Sequence, residues 1–157
     1  MKIMSEIRGI HHVTAIASNP QRTVDFYTSV LGLRMVKLTV NFDDPTTYHL
    51  YFGDELGRPG TILTFFPWID VPKGHPGTGQ VITTSFLVSD KSIDYWKTRL
   101  KKYQVTFNGP LKRFDEQVLS LYDPDGLELE LVFHSSAQDR EINVWNGAGI
   151  PFEHAVR

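Results

Sequence analysis

Polar and apolar residues alternate over residues 10–17, and Ile10, His12, Thr14 and Ile16 share one face of that predicted strand. The period then changes. Asn19-Pro20 offers a helix cap and a proline for the first helical position, and Val24, Tyr27 and Leu31 fall on one helical face beside Phe26 and Val30. Gly32 is placed to stop this helix. Strands are predicted over 34–42, 48–52 and 61–66, with Asp43-Asp44-Pro45 and Gly57-Arg58-Pro59-Gly60 as the turns between them. After the loop at 72–77 the order repeats. A strand over 81–88 leads into a helix capped by Ser89-Asp90, with Ile93, Trp96, Leu100 and Tyr103 as its apolar face. Strands over 105–107, 117–122 and 127–133 complete the second copy. The helices align as Val24-Asp25-Phe26-Tyr27 on Ile93-Asp94-Tyr95-Trp96.

The pattern predicts an α+β protein of two tandem βαβββ modules, at 1–71 and 72–134, whose mixed sheets curl into a cup with the helices outside. Residues 135–157 show no clear strand or helix. Their Asn146-Gly147-Ala148-Gly149-Ile150-Pro151 run looks like a linker leading towards a second half.

Candidate chemistry follows from which side chains share a face. On the last strand Glu128 and Glu130 share one face, and Leu127, Leu129, Leu131 and Phe133 share the other. The leucine face requires the helices, which leaves the glutamates looking into the cup or into water. His12 and Glu130 together would suit Fe(II), Mn(II), Ni(II) or Zn(II). The repeat places Thr83 where His12 would recur, so one chain offers two ligands where a facial triad needs three. His49, in Tyr48-His49-Leu50-Tyr51, either lines the pocket and bonds a phenol or faces solvent.

Composition narrows the choice. The 157 residues are 41% apolar, 22% charged and 12% aromatic, with a net charge of −2 and six histidines. Without a basic surplus, nucleic acid is not an expected partner. The absence of cysteine removes disulfides, thiolate metal sites and cysteine nucleophiles. No apolar run reaches the roughly 18 residues of a membrane span, and the N-terminus has no signal-peptide core, so a cytoplasmic protein is expected. There is no Gly-rich phosphate loop and no Gly-x-Ser-x-Gly elbow. Asp123-Pro124-Asp125-Gly126 has the composition of a turn rather than a calcium loop.

Gly9-Ile10-His11-His12-Val13-Thr14, the Phe26-Tyr27 helix ending in Leu31-Gly32-Leu33, and Asp123-Pro124-Asp125-Gly126 with Glu130 resemble the vicinal oxygen chelate superfamily of glyoxalases, bleomycin-resistance proteins and extradiol dioxygenases. The stretches Thr39–Pro45, Tyr48–Asp54 and Gly60–Trp68 resemble the ring-cleaving dioxygenases that act on hydroquinones. The superfamily draws ligands from the first, fourth, fifth and eighth strands. Carried over, these positions hold His12, Leu63 or Thr64, Thr83, and Glu130. Hydroquinone-type members resemble this chain doubled, with the first-strand His of one half joining a His and a Glu of the other.

The resemblance implies a metal-dependent ring-cleaving dioxygenase for hydroquinone- or catechol-like aromatics and O2, this chain being its N-terminal half. Fe(II) is the expected metal. His12 would be the ligand, His11 and Thr14 its neighbours, and His49 and Tyr51 the groups that fix substrate and shuttle protons, with a homodimer or a second half as partner. Two alternatives remain open. One is a non-catalytic protein that sequesters aromatic ligands in the bleomycin-resistance manner. The other is a glyoxalase-like isomerase or lyase, which the lack of a ligand at Leu63/Thr64 and at Thr83 disfavours.

Overall fold

A computed structural model describes residue 7 and residues 9–157 of the chain. Two four-stranded mixed sheets form, one per module. In the first sheet, β1 (His12–Ala17) lies parallel to β4 (Ile62–Pro67), followed by β3 (Tyr48–Gly53) and the edge strand β2 (Arg34–Val40). The second repeats this order with β5 (Thr83–Val88), β8 (Glu128–Phe133), β7 (Glu116–Tyr122) and β6 (Phe107–Arg113). The predicted α+β class and tandem βαβββ arrangement hold. The sheets are not closed into a barrel.

Helix α1 (Pro20–Asp25) starts as predicted, with the Asn19 side chain accepting from the Arg22 N–H and Pro20 in the first turn. It continues as a π-helical turn, Phe26–Val30, which the sequence pattern did not distinguish from ordinary helix. Gly32 ends it at φ +76°, where the Leu33 N–H bonds back to the Tyr27 carbonyl. Helix α2 (Ile93–Lys102) follows a short 3-10 turn, Asp90–Ser92, whose Lys91 N–H is capped by Ser89. Its Trp96 and Leu100 are buried as expected and Ile93 is half-buried. Tyr103 lies past the helix end and is exposed.

One apolar core runs along the helix side of both sheets. Tyr27 packs between Phe52 and Phe65 in the first module, and Trp96, Leu129, Leu131 and Phe133 of the second module are buried in the same cluster. Polar groups lock the modules together through this core. Tyr27 donates to Asp123 at 3.0 Å, and Arg99 donates to the Val30 and Ala148 carbonyls at 2.8 and 3.2 Å.

The segment read as a linker packs onto both modules. Ile150 is buried against Gly32, Trp96 Nε1 donates to the His154 carbonyl, and Arg157 pairs its backbone in both directions with Leu87 of β5. Three short 3-10 turns, Ser135–Asp139, Asn146–Ala148 and Phe152–His154, carry the chain along this path.

Candidate functional site

Register decides what meets on the face of the first sheet turned away from the helices. Thr14 lies opposite Thr64, Thr64 opposite Tyr51, and Tyr51 opposite Lys37, so these four form one row across the sheet. One step along, Ile16 lies opposite Phe66 and His49 opposite Thr39. His12 stands one step the other way on β1, opposite Ile62. Alternation therefore brings His12, Thr14, His49 and Tyr51 onto one open face, as the sequence pattern requires.

The contacts on this face are specific. His49 stacks between Phe66 and Tyr51, with ring centroids 4.0 and 4.2 Å away. Its Nδ1 is 3.0 Å from the Tyr51 hydroxyl, while its Nε2 is buried without a hydrogen-bond partner among the described residues. Burial, then the charges of His12 and Lys37, hold the His49 imidazole below its ordinary pKa. Lys37 Nζ sits 5.2 Å from the centre of the Tyr51 ring. The two threonine hydroxyls of Thr14 and Thr64 are 2.8 Å apart. His12 is exposed, and its Nδ1 lies 3.0 Å from Nδ1 of the neighbouring His11.

Sequence reasoning missed Lys37 and Phe66. Both occupy positions in register with Tyr51 and His49, and become visible once the pairing of β2, β3 and β4 is known.

The second sheet's open face is different. The parallel ladders match position for position: His12 opposite Ile62 in the first, Thr83 opposite Glu128 in the second. Thr83 thus takes the place of His12, and Thr64 the place of Glu130. Glu130 is held on both carboxylate oxygens by Arg113, at 3.0 and 3.1 Å, and accepts from Ser85 at 2.8 Å. Its side chain is only 14% exposed. Arg113 was missed because its stretch of β6 was not read as strand.

A metal centre needs donors that converge. Among the described residues, no group of three or more His, Asp or Glu could hold an ion. The Glu130 carboxylate is already neutralised by Arg113. The residues present therefore do not by themselves fit a complete metal site, and His12 is the one imidazole of the predicted set left accessible on the open face. Among the described residues no helix is long and apolar enough to cross a membrane.

Tandem βαβββ modules with paired open sheets, a first-strand histidine and a matched glutamate on the last strand define a vicinal oxygen chelate protein. The chain belongs to the glyoxalase/bleomycin resistance protein/dioxygenase superfamily, whose family model matches residues 9–131. Over 149 residues it is 48% identical to MhqO of Bacillus subtilis (strain 168), a protein named as a ring-cleaving dioxygenase, covering 95% of this chain and 46% of that one. It is 34% identical over 160 residues to the chlorohydroquinone/hydroquinone 1,2-dioxygenase of Sphingobium indicum, covering 100% of this chain and 49% of the relative. A crystal structure of a Bacillus subtilis protein named as a dioxygenase superposes with a TM-score of 0.87 at 49% identity, over 94% of this chain and 46% of that one. The chain thus spans about half the length of these relatives. The fosfomycin resistance protein FosX from Listeria monocytogenes shares the fold alone, with a TM-score of 0.62 at 16% identity over 80% of this chain and 93% of that one.

Proposed function

We propose that this chain is part of a metal-dependent dioxygenase that cleaves the ring of hydroquinone- or catechol-like aromatics with O2. The observation that carries the proposal is the open face of the first sheet, where an accessible His12 stands on the same surface as the His49–Tyr51 pair and the Phe66 ring. Family membership and the dioxygenase names of the relatives support it.

This chain's own residues have definable tasks. Phe66 and Tyr51 offer aromatic surface for a flat ring. His49 Nε2 is sealed from solvent, so the exchangeable nitrogen is Nδ1, reached through the Tyr51 hydroxyl. A pKa held below the ordinary imidazole value keeps His49 neutral near neutral pH and able to take a phenolic proton passed through Tyr51. His12 is the ligand this chain would contribute to the metal. Fe(II) is the metal of this proposal, with Mn(II), Ni(II) or Zn(II) as the other candidates. A second half or a second copy would supply the remaining donors.

The test is an anaerobic Fe(II) titration of the 157-residue chain beside its His12→Ala variant. Binding that weakens on the order of tenfold or more in the variant supports the assignment. Fe(II) that is bound measurably and equally well by the two proteins overturns it. A second reading, sequestration of an aromatic ligand without chemistry, draws on the Arg113-neutralised Glu130 and on Thr83 in the histidine position. Aromatic binding that is unchanged by a chelator, with no oxygen uptake in the presence of Fe(II) and hydroquinone, would favour it.

A further inference from the structure

We propose that the cleft between the two modules gathers dioxygen and holds it beside His12. A cavity of about 170 Å³ lies between the edge strands β1 and β5, with the C-terminal segment along one wall. Val13, Leu33, Leu63, Phe86, Ile142 and Val156 contribute apolar wall, and His12 borders the same space. Val13 and Leu63 lie opposite each other on β1 and β4 and pack with the core, on the helix side of the first sheet. The cavity therefore approaches His12 from the helix side, whereas His49, Tyr51 and Phe66 approach it across the open face. Ile10 and Gly60 also border the cavity and are exposed, which leaves a way in from solvent.

The polar residues of this wall are turned to other partners. The Asp54 carboxylate accepts from the Arg58 side chain at 2.8 Å and from the Leu56 and Arg58 N–H groups. Thr61 Oγ1 donates to the Arg58 carbonyl and accepts from the Asp54 N–H. Ser85 Oγ donates to Glu130. Arg157 Nη1 donates to the Ala137 and Arg140 carbonyls. Thr84 Oγ1 and Arg157 Nε are buried and do not face the space.

This accounting selects the occupant. A hydroquinone carries two hydroxyls, each of which loses its water on entering and needs a partner there. A wall whose polar groups are already paired suits a small molecule that makes no hydrogen bonds. An apolar cavity of this size stays dry and takes up xenon or benzene, so O2 fits with room to move. Water solvates O2 poorly, and an apolar space concentrates it. The use of the gas rests on the dioxygenase reading, which requires O2 at His12. Its presence in the cavity rests on size and lining alone. Ring and gas then reach His12 by separate routes and do not compete for one entrance.

The experiment equilibrates the metal-free 157-residue chain, with a chelator present, first with O2 and then with nitrogen. O2 is paramagnetic, so its contribution to proton relaxation reports where it resides. The Leu63 methyls are expected to gain several-fold more relaxation than those of Leu100 and Leu119, which are as deeply buried but do not border the cavity. Ile142→Trp fills the space from a segment without helix or strand, and Val156→Phe fills it from a second position. Either is expected to cut the gain at Leu63 and at the His12 ring protons by about half or more, while the exposed His75 ring is unchanged. A gain at Leu63 no larger than at Leu100 and Leu119 overturns the proposal. So does a folded filling variant that lowers Leu63 but leaves His12 as it was, since the gas in the cavity would then not reach the histidine. Because no iron is present, failure here leaves the assignment of His12 as a ligand untouched, and failure of the iron titration leaves the occupancy of the cavity untouched.

Discussion

Asp54 and Asp123 both sit in turns at the ends of strands, yet their surroundings push them in opposite directions. Burial raises the Asp54 carboxyl, but the Arg58 backbone N–H, its side-chain N–H and its charge, together with the Leu56 N–H, outweigh this and hold the pKa below the ordinary value. A depressed carboxyl contributes stability above its unfolded pKa, and the contribution is lost as pH falls through the folded one. Stability should therefore drop as pH falls below about 4, where an unfolded Asp titrates. Asp54→Asn is expected to flatten that slope in denaturant titrations at several pH values, and to cost roughly 1–3 kcal/mol at neutral pH, its side chain being nearly buried. Asp123 runs the other way. Burial raises its pKa despite donors from Leu127, Tyr27 and Asp125, so its contribution fades as pH rises through the folded value. The Tyr27 phenol, also raised, first by burial and then by Asp123, stays protonated and donates to it. Tyr27→Phe keeps the aromatic packing and removes that donor. It should lower stability by about 1–2 kcal/mol in the same assay, and the loss should be smaller at acid pH, where Asp123 is uncharged. An unchanged midpoint would show that water replaces the phenol without cost.

At the scale of elements, the joint between the first helix and the C-terminal segment is the most exacting. Gly32 adopts φ +76°, and a Cβ there would meet Ile150 Cδ1 at 2.3 Å. Gly32→Ala therefore carries two costs. The backbone strain is about 1 kcal/mol, and the clash adds to it because Ile150 must move out of a packed site. The expected total is roughly 2–3 kcal/mol in thermal or chemical unfolding, with Gly32→Ala/Ile150→Val recovering only the steric part. Full recovery in the double variant would mean that the backbone conformation costs nothing. The start and stop of this helix were legible in the sequence because Asn19-Pro20 and Gly32 act locally, through cap and φ. The same holds for the alternation that put His12, Thr14, His49 and Tyr51 on one face. Strand β6 was not legible. The predicted strand over 105–107 stops short of Asn108-Gly109-Pro110, which the structure absorbs as a bulge inside the strand, with Gly109 at φ +104°. Arg113 was hidden with it, and so was the pairing that neutralises Glu130. The docking of 135–157 could not be read either, since it rests on contacts far apart in sequence, such as Trp96 with His154 and Arg99 with Ala148.

At the scale of the whole molecule, both sheets commit their helix-side faces to one core and leave their other faces open. Those open faces carry apolar residues that a lone chain leaves in water: Ile16 is 46% exposed on the first sheet, and Leu111 and Tyr122 are 62% and 55% exposed on the second. They also differ in charge. The first presents His12 and Lys37, and the second presents Glu116, Glu128 and Glu130 around Arg113. Laying the first sheet of one copy over the second sheet of another covers both, and doing so reciprocally closes a two-fold dimer with no face left over. A specific interface of this kind buries about 1,200–2,000 Å² in total. Sedimentation of the 157-residue chain should then show a monomer–dimer equilibrium that shifts towards monomer as salt screens the complementary faces. Ile16→Lys places a charge in the centre of the first face without touching the core, and is expected to weaken the dimer by about tenfold or more while leaving the melting temperature of the monomer within a few degrees. If the unmodified chain sediments as a monomer at all concentrations, the open faces await a different surface, such as a second half of the kind its double-length relatives have room for. In that case Ile16→Lys will leave the sedimentation of the isolated chain unchanged.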